Sequence, residues 1–121
     1  MSNHAFDLEE RTAKFGIDVI DFSKTIVETT ITRPLISQFI RAGTSVGANY
    51  CEANDAESKK DFIHKIGICK KEARECMYWL HMIGTAVMES KEKARKLWQE
   101  AKELNLIFAA IIKSSRIAKP D

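Results

Sequence analysis

One segment constrains this chain more than any other. Phe62, Ile66, Cys69, Ala73, Cys76, Leu80, Ile83 and Val87 recur in strict alternation of four and three. That spacing gathers all eight on one stripe of an α-helix, whereas a strand would scatter them over both faces. The stripe is about 38 Å long at 1.5 Å per residue. Ser58 with Asp61 can cap its start, and Gly84 with the stretch to Ser90 ends it. A helix this long with a single apolar stripe needs partner helices of similar length.

Three further stripes supply them. Leu8, Thr12, Phe15, Val19, Phe22 and Ile26 form one heptad seam, which Asp7 and Glu10 can cap. The β-branched run Thr29-Thr30-Ile31-Thr32 then weakens the helix ahead of Pro34. Ile36, Phe39, Gly43, Val46 and Tyr50 form the second stripe, in a helix that Pro34 opens. Ala94, Leu97, Ala101, Leu104, Phe108 and Ile111 form the last, with Lys113, Arg116 and Lys119 complementing its C-terminal dipole. The predicted fold is all-α, an antiparallel up-down-up-down four-helix bundle with helices over about 8–28, 34–55, 58–87 and 90–116.

Composition agrees with one domain over residues 1–121. Hydrophobic residues at 45% and charged residues at 30% exclude disorder and fibrous repeats. Five Gly and two Pro are too few for a turn-rich β fold. No apolar run approaches the roughly 20 residues of a membrane span. The segment Met1–Glu10 has no apolar core of the signal-peptide kind. Three Cys, an odd count, read as reduced thiols and a cytoplasmic setting.

The second predicted helix stands out for its lack of charge. Between Pro34 and Asn54 only Arg41 and Glu52 are charged, while Ala42, Gly43, Gly47, Ala48 and Ala53 are small. Such a helix is expected to be covered on more than one side, the extra cover coming from another subunit.

Catalytic and metal chemistry find little support. Asp61-Phe62-Ile63-His64 and Tyr78-Trp79-Leu80-His81 match a di-iron motif only loosely, and His64 lies opposite the core stripe. Cys69 and Cys76 fall within the apolar seam, where a free Cys packs as a small hydrophobe. Zinc would need two more ligands nearby, and no Cys-x-x-Cys occurs. Cys51 has no neighbouring His, and there is neither a phosphate-cradling Gly-rich loop nor a nucleophile elbow. Glu72 and Glu75 read more simply as ion-pair partners than as an acid and a base. The expectation is a non-enzyme with no cofactor and no metal.

Two polar stripes remain. Arg41, Ser45, Asn49 and Glu52 share one face of the second helix, expected to hydrogen-bond between helices or subunits, with a third-helix lysine or Arg41 as ionic partner. On the third helix Lys60, His64, Gly67, Lys71, Arg74 and Tyr78 lie opposite the core, and Lys91, Arg95 and Lys102 share a face of the fourth. Cations so placed can neutralise phosphates and a Tyr can stack a base, or they can be ordinary solvated faces. Charge is also uneven along the chain: residues 1–57 carry net −4 and residues 58–121 net +6. The imbalance fits an anionic polymer, or equally the mutual attraction of acidic and basic faces of neighbouring helices or subunits.

The run Thr44-Ser45-Val46-Gly47-Ala48-Asn49-Tyr50-Cys51-Glu52-Ala53, followed by Ser58-Lys59-Lys60-Asp61-Phe62 and by Cys69-Lys70-Lys71-Glu72-Ala73-Arg74-Glu75, resembles a known signature. It is that of the four-helix-bundle proteins encoded in intervening sequences of bacterial 23S ribosomal RNA genes. The accessory variability proteins of diversity-generating retroelements are more distant relatives. Ser45, Asn49 and Glu52 match the signature; Ala53 stands where many relatives have Gly, and Tyr50-Cys51 replaces a common Ile-Ala pair. The resemblance implies a left-handed bundle assembling as a ring, typically a homopentamer, which in some members binds RNA or DNA or a reverse transcriptase. The expected function is therefore a homo-oligomeric, non-enzymatic bundle binding nucleic acid without sequence preference, or binding a nucleic-acid-handling partner. The competing expectation is a protein-interaction scaffold with no nucleic acid.

Overall fold

The computed structural model describes residues 7–117. They form α1 (Leu8–Lys24), α2 (Thr32–Asn54), α3 (Lys59–Ala86) and α4 (Lys91–Ile117), with a 3-10 turn over Met88–Ser90 ahead of α4. The architecture is the all-α four-helix bundle that the apolar stripes predict.

Cross-helix contacts fix the direction of each helix. Thr12 and Val19 of α1 face Gly47 and Gly43 of α2. Arg41 and Glu52 of α2 reach Glu72 and Lys65 of α3. Lys70 and Gly84 of α3 lie against Asn105 and Lys91 of α4. In every pair the residue numbers rise on one helix as they fall on the next, so consecutive helices are antiparallel. Arg11 closes the circuit between α1 and α4, binding Glu100 at 2.8 Å and Glu103 at 2.9 Å. The α1/α2 seam and the α3/α4 seam therefore lie on opposite sides of the bundle.

The core is built from the four stripes. Phe15, Val19, Phe39, Val46, Ile66, Leu80, Ile83, Leu104 and Phe108 are all essentially inaccessible to solvent. Phe22 meets Phe39 edge-on at 6.0 Å between ring centroids, an arrangement the aromatic quadrupole favours. Cys69 and Cys76 are fully buried among these residues, whereas Cys51 is exposed.

Helix starts follow their capping residues. The Asp7 carboxylate accepts from the Glu10 N–H at 3.2 Å, and the Ser58 hydroxyl accepts from the Asp61 N–H at 3.0 Å. Both bonds satisfy donors that a first turn leaves orphaned.

Two boundaries differ from expectation. The first helix stops at Lys24 rather than near residue 28, because Thr25 bonds back through its hydroxyl and its N–H to the Phe22 carbonyl, at 2.6 and 3.0 Å. The second starts at Thr32, ahead of Pro34. There Thr29 accepts from the Ile31 and Thr32 N–H groups, while the Thr32 hydroxyl donates to the Val27 carbonyl at 2.7 Å. The threonine run thus builds the turn and caps α2. Pro34 still falls in the first turn, where its missing N–H breaks no bond. The third helix ends at Ala86, within the expected stretch from Gly84 to Ser90, and Gly84 lies where α4 approaches. Lys119, expected to face the last helix's dipole, lies outside the described residues.

Candidate nucleic-acid interface

The polar residues of the α2/α3 seam are engaged within the chain. Arg41 donates to both Glu72 oxygens at 3.3 and 3.4 Å and to Glu75 at 2.6 Å. Glu72 is only 7% exposed, so this guanidinium is what compensates its burial. Burial acts to lower the Arg41 pKa, but the two carboxylates outweigh it and leave the value raised. Lys65 binds Glu52 at 2.7 Å, and that hydrogen bond raises its pKa. Asn49, expected to bond across helices or subunits, instead donates to the Ser45 carbonyl of its own helix at 2.9 Å. Four residues is the reach of one helical turn, so the amide finds that acceptor without leaving α2.

The outer side of α3 and α4 is different. Lys60, Lys71, Arg74, Lys91, Arg95 and Lys102 are all exposed. Tyr78 is 56% exposed and packs edge-on against Trp79, 5.0 Å between centroids. Arg74, four residues from Lys70 and seven from His81, shares their stripe facing α4. Lys60, Lys71 and Tyr78 occupy the neighbouring stripe that points outward.

Between α3 and α4 runs a groove with two recesses. One, about 370 Å³, has His81 and Gly84 on one wall and Lys91, Arg95 and Trp98 on the other, over a floor of Leu80 and Ala94. The second, about 510 Å³, is lined by Gly67, Lys70, Lys113 and Arg116. Between them Lys102 Nζ stands 5.6 Å over the Trp98 ring, and Asn105 donates to the Lys70 carbonyl at 2.9 Å. The two recesses lie toward opposite ends of the α3/α4 seam, which runs from Lys91 to Arg116 for about 38 Å along α4. No acidic residue lines either recess.

Charge pairing is uneven over the bundle, with the unpaired cations concentrated on the α3/α4 side, although Lys24 of α1 also forms no ion pair with a described residue. Arg11, Lys14, Arg33, Arg41 and Lys65 all form ion pairs. With other described residues, Lys70, Arg74, Lys91, Arg95, Lys102 and Arg116 form none. Sequence reading picked out four of these cations but missed Lys70, Arg116, Trp98 and His81. The available signal was the run Lys91, Arg95, Trp98, Lys102, spaced four, three and four, which places an aromatic within a basic stripe.

The opposite side is apolar. A groove of about 340 Å³ between α1 and α2 is lined mainly by Ala13, Ile17, Ile20, Thr44, Ala48 and Cys51, with Glu9 as the one charged residue in its lining. Ile17 is 57% and Ile20 38% exposed. Part of the small-residue run on α2 has an intrachain explanation: Gly43 receives Val19, and Gly47 receives Thr12. Ala48, Thr44 and Cys51 stay exposed.

Comparison with known proteins places the molecule. The model of the 23S rRNA-intervening sequence protein family matches residues 6–110. A solved structure from the S23 ribosomal protein family of Bacteroides thetaiotaomicron VPI-5482, a protein of unknown function, is 31% identical with a TM-score of 0.78. The similarity covers 87% of this chain and 97% of that one. No curated protein matches. With the family's pattern spanning nearly all of the bundle, the chain belongs to the 23S rRNA-intervening sequence protein family.

Proposed function

We propose that this chain is a non-enzymatic, homo-oligomeric bundle that binds nucleic acid along its α3/α4 side, chiefly through phosphate contacts. The observation that carries the reading is the groove lined by cations that pair with no described carboxylate and by no acidic residue. Unpaired cations along one track can displace counterions from a phosphate backbone, a gain that does not depend on sequence. Assembly draws on the other side, where Ile17, Ile20 and Ala48 leave apolar surface exposed around an uncharged stretch of α2. Self-association through the α1/α2 groove leaves the basic side free, because the two seams face opposite ways.

Gel-shift titration of mixed-sequence RNA and DNA at low salt tests the binding. The logarithm of the affinity should fall linearly with the logarithm of salt concentration. Combining Lys70→Glu, Lys91→Glu and Arg95→Glu should abolish the shift while the assembly survives. Light scattering should give a mass several times 13.7 kDa, and Ala48→Glu should reduce it, since a carboxylate buried without a partner is strongly unfavourable. No shift at tens of micromolar protein would make the protein-scaffold reading the better one.

A further inference from the structure

We infer that the recess at Trp98 seats an unpaired nucleobase, so that the preferred ligand is a single strand. This rests on the nucleic-acid reading above and narrows it to one substrate class and one residue. Gly84 has no side chain and Ala94 has only a methyl group, and both line the recess that the half-buried indole borders. The recess, about 370 Å³, falls within the roughly 300–1,000 Å³ of small-ligand pockets. An apolar floor of Leu80 and Ala94 suits a base and repels a phosphate. Lys91, Arg95 and His81 stand at its edges, where the phosphates on either side of an inserted base would lie. The arrangement joins a stacking platform to a cationic rim, the combination that holds single strands without reading sequence.

A duplex cannot use this site equally. Its bases are stacked and paired, and helices packed 8–10 Å apart leave a groove too narrow for a double helix to enter. A duplex would meet only the rim cations, giving a salt-dependent interaction in which Trp98 takes no part.

Indole fluorescence separates these cases. The chain has two Trp, and Trp79 Nε1 is buried with no hydrogen-bond partner among the described residues. Trp79→Phe therefore breaks no hydrogen bond and leaves Trp98 as the single indole reporter. A mixed-sequence 12-nucleotide single strand, as RNA and as DNA, should quench the emission on titration, and the matching duplex should not. Trp98→Leu should weaken single-strand binding about tenfold, the loss expected from stacking of one base, and should leave duplex binding and the salt slope unchanged. Trp98→Phe should restore most of the affinity.

Binding of single strand and duplex with equal affinity and no quenching would overturn the base site while leaving the proposed function standing. The quenching titration needs no substitution at Trp98, so the test holds even if Trp98→Leu lowers stability. No binding of either form at low salt would overturn both.

Discussion

Two glycines on neighbouring helices should respond to the same substitution with opposite signs. A Cβ on Gly43 would lie 2.7 and 2.8 Å from the two γ-methyl carbons of Val19 and 3.0 Å from its Cβ, where carbon atoms normally rest at about 3.5–4.0 Å. Val19 is fully buried and, as a helical valine, holds essentially one rotamer, so it cannot swing aside. The α1 and α2 backbones must part instead. Overpacking of this kind costs about 1–3 kcal/mol, against roughly 1 kcal/mol gained in helix propensity on replacing Gly. The net expectation for Gly43→Ala is a loss of up to about 2 kcal/mol, or as much as roughly 8 °C in Tm for a chain of this size.

Gly67 on α3 is the control, because a Cβ there meets nothing within 4 Å. Gly67→Ala should keep the propensity gain and raise Tm by roughly 4 °C. Thermal melts followed by circular dichroism at 222 nm read both variants, at matched concentration because assembly shifts Tm. The close approach predicts a third result. Adding Val19→Ala to Gly43→Ala should cost less than the two single changes summed, since the smaller side chain removes the clash. Equal stabilisation by both alanines, or strict additivity in the cycle, would refute the reasoning about how α1 meets α2.

Arg41→Ala should lower stability by about 1–2 kcal/mol, because it strands the buried Glu72 carboxylate while Arg41 itself is half exposed. Glu72→Gln added to it should recover most of the loss, as read by urea unfolding. Burial pushes the Cys69 thiol up to about 12 and raises Cys76 likewise. A folded pKa above the unfolded one, about 8.5 for a thiol, gives stability that is complete below that value and lost as pH rises through the folded one. Tm should therefore fall between pH 9 and 11, and the slope should flatten in the Cys69→Ala/Cys76→Ala double variant. Under native conditions a thiol reagent at pH 8 should label Cys51 alone, and should label it faster in Ala48→Glu if Cys51 lies in the assembly groove.

Legibility in the sequence depended on how local the determining physics was. The α3 stripe could be read almost residue by residue because its seam keeps one period from Phe62 to Ile83, and each of those side chains packs into the core or against it. The end of α1 could not, since Thr25 and Thr29 are compatible with a helix until their hydroxyls find the Phe22 carbonyl and the α2 donors. The small residues of α2 announced a close neighbour without saying which, and for Gly43 and Gly47 the neighbour is α1. The basic stripes were visible because each belongs to one helix. The groove was not, because it exists only when the turn at Met88–Ser90 folds Trp98 of α4 back beside Gly84 of α3.

The opposition of the two seams makes assembly and binding energetically coupled even though no residue serves both. Suppose the α1/α2 groove is closed by a second copy and each copy presents an α3/α4 groove outward. A long strand that has engaged one groove then meets the next at millimolar effective concentration, which can multiply affinity by about 10²–10⁴ with no new contact. Ala48→Glu lies across the bundle from Trp98, so its effect on nucleic acid can come only through assembly. A strand of 60 nucleotides should accordingly lose at least a hundredfold in affinity for Ala48→Glu, measured by fluorescence anisotropy at fixed salt. A strand of six nucleotides, confined to one α3/α4 seam about 38 Å long, should bind the variant and the unaltered chain equally. Loss of the short strand as well would mean that the α1/α2 side itself touches nucleic acid, and equal retention of the long one would mean that the grooves act singly.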